Sequence, residues 1–159
     1  MNNSTDKKYL QRAVDLASEN VRSGKGGPFG AVIVKDGEII AEACNSVTTD
    51  NDPTAHAEVN VIRKATEKLG HFQLDDCTIY SSCEPCPMCL GAIYWARPAR
   101  LVFAASKADA AAIGFDDAFI YREIEADLSQ RSIPTTQDRN DAFLEPFRIW
   151  GSTIDKIDY

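Results

Sequence analysis

Apolar residues at Leu10, Ala13, Val14, Ala17 and Val21, with charges between them, carry the spacing of an amphipathic helix. Gly24, Gly26 and Gly27 stop that helix, and Pro28 discourages a restart. The period then becomes strand-like. Ala31-Val-Ile-Val34 and Glu38-Ile-Ile-Ala41 flank Asp36-Gly37, a pair that favours a tight hairpin turn. A polar stretch over residues 45–54 reads as a loop leading to a helix N-terminus. That helix is predicted over residues 55–69, with Val59, Ile62 and Ala65 inward and Gly70 as its stop. Residues 77–81 predict a strand, and Pro85 and Pro87 open a helix through Met88, Ile93 and Trp95 that stops before Pro98. Leu101-Val-Phe-Ala-Ala105 is a nearly continuous apolar run, the pattern of a buried parallel strand.

Beyond that strand the pattern weakens. Residues 108–113 read as helical, Gly114-Phe-Asp-Asp117 as a turn and residues 119–124 as a short helix. Residues 129–141 are polar and loop-like, and a last helical piece carries Phe143, Phe147 and Trp150. The order α-β-β-α-β-α-β-α predicts an α/β fold, a three-layer α-β-α sandwich with a central mixed sheet. Its 159 residues, 44% of them hydrophobic, fit one domain that buries a core without disulfide staples.

Charge narrows the partners. Seventeen Lys+Arg against 24 Asp+Glu give −7, which leaves no electrostatic footprint for a nucleic acid. No apolar run reaches the roughly 20 residues of a membrane-spanning helix, and Met1 to Lys8 lacks the apolar stretch of a secretory signal. The expectation is a cytoplasmic protein whose thiols stay reduced. Five cysteines are present, and Cys83, Cys86 and Cys89 are crowded together, which points to metal or redox chemistry.

Cys86 and Cys89 stand at a proline-started helix N-terminus, where one helical face can hold both sulfurs and the dipole favours thiolate. Two buried, inert cysteines are the bland reading. Adding Cys83 gives C-x2-C-x2-C, but no further Cys-Pro follows for the bacterial iron–sulfur run. Cys83 could instead join Cys86, Cys89 and His56 in a closed structural zinc site. His56-Ala57-Glu58 followed by Pro85-Cys86-x-x-Cys89 matches the zinc-deaminase pattern H-x-E…P-C-x-x-C. One imidazole and two thiolates hold zinc and leave a fourth position for water. Glu58, two residues past the histidine, can carry protons from that water to the substrate.

On these residues the chain resembles the cytidine-deaminase superfamily, and within it the small bacterial guanine deaminases. The resemblance runs through Gly26-Gly-Pro-Phe-Gly-Ala-Val-Ile-Val34, Asn51-Asp-Pro-Thr-Ala-His-Ala-Glu58, Ser82-Cys-Glu-Pro-Cys-Pro-Met-Cys-Leu-Gly-Ala-Ile93 and Gly114-Phe-Asp-Asp117. It implies a cytidine-deaminase-like fold and hydrolysis of guanine to xanthine and ammonia. It further implies one Zn2+ per subunit on His56, Cys86 and Cys89, with Glu58 and Asp117 as proton carriers. Asn45, Phe29 and Ala57 would meet the purine. It also implies a homodimer, in which residues 129–159 cross to a partner subunit, Tyr159 reaches its substrate and Trp95 lines the neighbouring pocket. Bland counterparts stand beside these roles: Phe29 as core, Asn45 as a turn cap, Asp117 as a solvated turn residue, Trp95 as helix packing. Guanosine, tRNA adenosine, and cytosine or cytidine remain alternative substrates, and a non-catalytic zinc module is the alternative class. His71 is assigned no role.

Overall fold

A computed structural model describes residues 3–159; the first two residues of the polar N-terminal stretch lie outside the described residues. Elements follow in the order α1 (Asn3–Arg22), β1 (Gly30–Lys35), β2 (Glu38–Cys44), α2 (Val47–Asp50), α3 (Ala57–Leu69), β3 (Thr78–Cys83), α4 (Pro87–Ala96), β4 (Arg100–Ala105), α5 (Lys107–Ala111), α6 (Ala118–Glu125) and α7 (Glu145–Ser152). The chain divides into two compact units, residues 1–117 and 118–159. No helix among the described residues is long and apolar enough to cross a membrane.

In the first unit the four strands lie in the order β2-β1-β3-β4. β1 runs antiparallel to both neighbours, whereas β3 and β4 are parallel. The sheet is therefore mixed, and β2, β3 and β4 all point the same way. Asp36 and Gly37 join β1 to β2 with φ of 50° and 80°. Positive φ at both central residues is what a two-residue hairpin needs to match strand twist.

Side-chain alternation along the buried strands builds two cores. Ala31, Ile33 and Ile79 face a cluster that contains Ala57, Val61 and Ala65 of α3 and Ile93 and Ala96 of α4. Val32, Val34 and Tyr80 face the other side, against Tyr9 and Leu16 of α1. One helix covers one face and two cover the other, the three-layer arrangement expected from the element order. At the edge of the α1 layer, Gly30 admits the helix backbone: an added Cβ would stand 2.4 Å from the Ala13 carbonyl oxygen.

Several expectations need correction. α3 starts at Ala57, and its buried stripe is Ala57, Glu58, Val61 and Ala65, while Val59 and Ile62 are only half-buried. His56 takes the cap position, so the inward face is set from there rather than from residue 55. The 45–54 loop holds the short helix α2. β4 is parallel as expected but is an edge strand with Phe103 42% exposed, so its apolar run is not buried within the chain. In α4 the inward residues are Cys89, Ile93 and Ala96. Trp95, two residues and therefore about 200° beyond Ile93 on the helix wheel, is 64% exposed and does not fill the core.

Polar ties fasten α1 across the sheet. Arg12 grips Glu42 of β2 with two hydrogen bonds, Nε to Oε1 at 2.9 Å and Nη2 to Oε2 at 2.7 Å. Asp6 accepts from Arg100 (3.0 and 2.5 Å) and from the Tyr80 hydroxyl at 2.7 Å. The guanidinium of Arg12 holds the Glu42 carboxyl below its ordinary value. A depressed folded-state pKa contributes stability that is present above the unfolded value of 4.5 and lost as pH falls through the folded one. Both side chains are about a third exposed, so screening limits the pair to about 1 kcal/mol. Arg12→Met should therefore lower the thermal midpoint at pH 7 by roughly 2–4 °C. In melts repeated at lower pH, that gap should narrow once Glu42 protonates.

Candidate metal centre and active site

Because β2 and β3 run the same way, α3 and α4, which come after them in the chain, both begin at one end of the sheet, on one face. His56 is the N-cap of α3 and Cys86 the N-cap of α4. Pro87 occupies the first turn of α4, where its missing N–H costs nothing. Cys89 lies one turn further in and is fully buried. Donor atoms of His56, Cys86 and Cys89 all stand within 4.8 Å of one another. His56 Nδ1 lies 3.6 Å from Cys86 Sγ and 3.5 Å from Cys89 Sγ. Tetrahedral zinc with Zn–S of about 2.3 Å and Zn–N of about 2.1 Å places such donors about 3.6 Å apart. Both the donor set and its spacing fit zinc.

The three donors perturb one another. Hydrogen bonding from Cys89, with His56 as the second donor, holds Cys86 down at about 4. Cys89 is pushed up, by its bond to Cys86 first and then by burial. The Cys86 sulfur in turn raises His56. Cys83 takes no part in this. Its Sγ points to the Ser106 carbonyl at 3.6 Å, and burial pushes its thiol up to about 11. The four-ligand closed site is therefore not what the structure builds.

Glu58 sits in the first turn of α3 and is only 4% exposed. Its Oε1 accepts from the Ser81 hydroxyl at 2.8 Å and its Oε2 from Cys89 Sγ at 3.4 Å. It thus flanks the metal donors without belonging to their set. Asp117 is half-buried while its neighbour Asp116 is exposed. Burial raises the Asp117 carboxyl, and the Cys86 charge raises it further. Phe29, half-buried, meets the ring of Phe115 edge-on at 5.0 Å. Ala57 is fully buried. Tyr159 lies in the second unit, edge-on to Trp150 at 6.5 Å.

Asn45 follows β2 and is 7% exposed. Its Oδ1 accepts weakly from the N–H groups of Gly27 (3.4 Å) and Val47 (3.3 Å), so it also turns the chain. Two asparagines that the sequence analysis did not single out hold this corner. Asn20 donates to the carbonyls of Asn45 (2.8 Å) and Gly27 (3.0 Å). Asn60 donates to the Cys44 carbonyl (3.0 Å), Ser46 Oγ (2.9 Å) and the Ala55 carbonyl (3.3 Å). Gly26 completes the corner, since a Cβ there would fall 2.2 Å from the Asn45 carbonyl oxygen. A separate open cleft of about 610 Å³ runs past Asn20, Asn45, Asn60 and Lys64; none of the metal donors lines it.

An H-x-E helix start and a P-C-x-x-C helix start meeting around one set of three donors define a zinc-dependent deaminase centre. The chain belongs to the cytidine and deoxycytidylate deaminase family, whose zinc-binding region matches residues 3–105. It is 59% identical to a guanine deaminase of Bacillus subtilis (strain 168) over 159 residues, 100% of both chains. It matches the X-ray structure of a Bacillus subtilis guanine deaminase with a TM-score of 0.95 at 58% identity, covering 100% of this chain and 99% of that one. Similarity to a tRNA-specific adenosine deaminase of Bacillus subtilis (strain 168) is 42% over 100 residues, 63% of this chain and 62% of the relative.

Metal analysis after dialysis checks the donor set. Cys89→Ser should lose zinc, whereas Cys83→Ser should retain a full equivalent.

Proposed function

We propose that the chain hydrolyses guanine to xanthine and ammonia, with one zinc ion per subunit held by His56, Cys86 and Cys89. The full-length identity to a guanine deaminase carries this reading. When bound, zinc polarises a water and supplies an oxygen nucleophile near neutral pH. Glu58, beside the donor set, accepts a proton from that water as the oxygen bonds to guanine C2, and hands the proton to N3. The second hydroxyl proton follows the same route to the 2-amino nitrogen. The C2–N bond then breaks, ammonia leaves, and a C2 carbonyl remains. Asp117 faces the N1–H and 2-amino edge, where a carboxylate accepts from both donors. Adenine lacks the 2-amino group and carries no proton on N1, so it would leave Asp117 unpaired in a half-buried place, which penalises the wrong base. Asn45, Phe29 and Ala57 form the purine wall.

The proposal extends to a cytoplasmic homodimer. All five cysteines are free, as a reducing compartment requires. Residues 118–159 contain no buried residue, and Phe143, Phe147, Ile149 and Ile154 are each more than half exposed. Apolar exposure on this scale marks a surface that needs a partner. In a domain-swapped pair, residues 129–159 of one copy would cover the other. Tyr159 would then meet the partner's substrate, beside a pocket lined by Trp95.

Ammonia release from guanine, guanosine, adenine, cytosine and cytidine, with and without a chelator, tests the reaction. Guanine should be turned over and the chelator should stop it; guanosine as the preferred substrate would replace the reading, and silence on every substrate would overturn it. Glu58→Ala should keep its zinc and lose at least about 10²-fold in kcat. Deleting residues 143–159 should abolish activity and shift the sedimentation profile toward monomer, and a dimeric, active truncation would contradict the swap.

A further inference from the structure

Ser81 lies on the central strand β3, level with Ala31 of β1 and Phe103 of β4. It is 1% exposed, and its hydroxyl reaches across to α3 to donate to Glu58 Oε1 at 2.8 Å. The same oxygen accepts from the Cys83 N–H at 3.4 Å. A hydroxyl has one proton; with the backbone N–H pointed at its oxygen, that proton is directed to the carboxylate. Glu58 has a second donor in the Cys89 thiol. A zinc-bound cysteine is a thiolate and donates nothing. Ser81 is not among the metal donors, so its bond to Glu58 does not depend on how the cysteines hold a metal.

We propose that Ser81 is a positioning residue for catalysis: its hydroxyl fixes the rotamer of the Glu58 carboxylate in the metal-loaded enzyme. This rests on the reading of Glu58 as the proton carrier. A carboxylate that must serve both the attacking water and the leaving amine has to hold one place through both transfers. Small displacements of a proton carrier are costly because transfer needs hydrogen-bond reach. A buried serine in the middle of a sheet, otherwise poor in strand propensity, has in this bond a reason to be there.

The experiment compares Ser81→Ala, Ser81→Thr and Ser81→Cys in the full chain by guanine turnover, zinc content and thermal midpoint. Ser81→Ala should lower kcat by about 10- to 100-fold, part of the general acid–base contribution. KM should stay within about threefold, and zinc should remain stoichiometric. Ser81→Thr, which restores a hydroxyl on the same carbon, should recover most of kcat. Ser81→Cys, nearly isosteric with a weaker donor, should resemble Ser81→Ala in kcat and the wild type in stability, and it carries the test should Ser81→Ala fail to fold. Wild-type kcat in Ser81→Ala or Ser81→Cys would overturn the proposal. So would a kcat loss that merely tracks zinc loss, or a Ser81→Thr enzyme as slow as Ser81→Ala. A wild-type enzyme that releases no ammonia from guanine would instead overturn the function, a result these variants leave distinct.

Discussion

The meeting of His56, Cys86 and Cys89 within 4.8 Å exists because two helices begin at the same end of one sheet. β1 lies between β2 and β3 in the opposite direction, so both carboxyl ends open onto one edge, the place where α/β sheets bind ligands. Each helix contributes its cap residue to the metal set and a deeper residue to the same wall: Glu58 from α3, Cys89 from α4. The N-terminal end of α4, where the helix dipole is positive, carries both sulfurs. Move either helix by one turn, about 5.4 Å, and His56 no longer stands near 3.6 Å from either sulfur.

Much of this could be read from residue order. His56, Glu58, Cys86 and Cys89 are separated in sequence but fixed by short, strongly punctuated helix starts, so local patterns located them. The hairpin was equally legible, since Asp36-Gly37 leaves little choice of turn. What residue order hid was tertiary. The apolar run of β4 looks buried because periodicity cannot distinguish an interior strand from an edge awaiting another surface. Trp95 shares a helix with Ile93, yet only the observed phase of α4 tells which of the two turns inward. Cys83 lies as close in sequence to Cys86 as Cys89 does, and only the strand's exit direction sends its sulfur to Ser106. Asn20, Asn60 and Ser81 carried no signal, because their role is to satisfy backbone or carboxylate groups distant in sequence.

The two units differ in how they are stabilised. Residues 1–117 own a sheet, two clusters of buried side chains and the polar ties of α1. Residues 118–159 own helical turns and rings but no interior. Short helices of this kind are marginal alone in water. The acidic surplus of seven charges fits a family member whose substrate is a neutral base, and sets it apart from relatives that must hold a polyanion.

Gly30 lets the α1 backbone touch the first residue of β1. Phe29 precedes that contact, and its carbonyl accepts the N–H of Asn45 at 3.0 Å, so the corner of Phe29 and Asn45 stands on the seating of α1. The rear layer of the sandwich thus acts as a gauge for the front. The corner becomes adjustable from behind: a change of one methyl group at Ala13, Leu16 or Ala17 would displace Phe29 and Asn45 without altering either side chain.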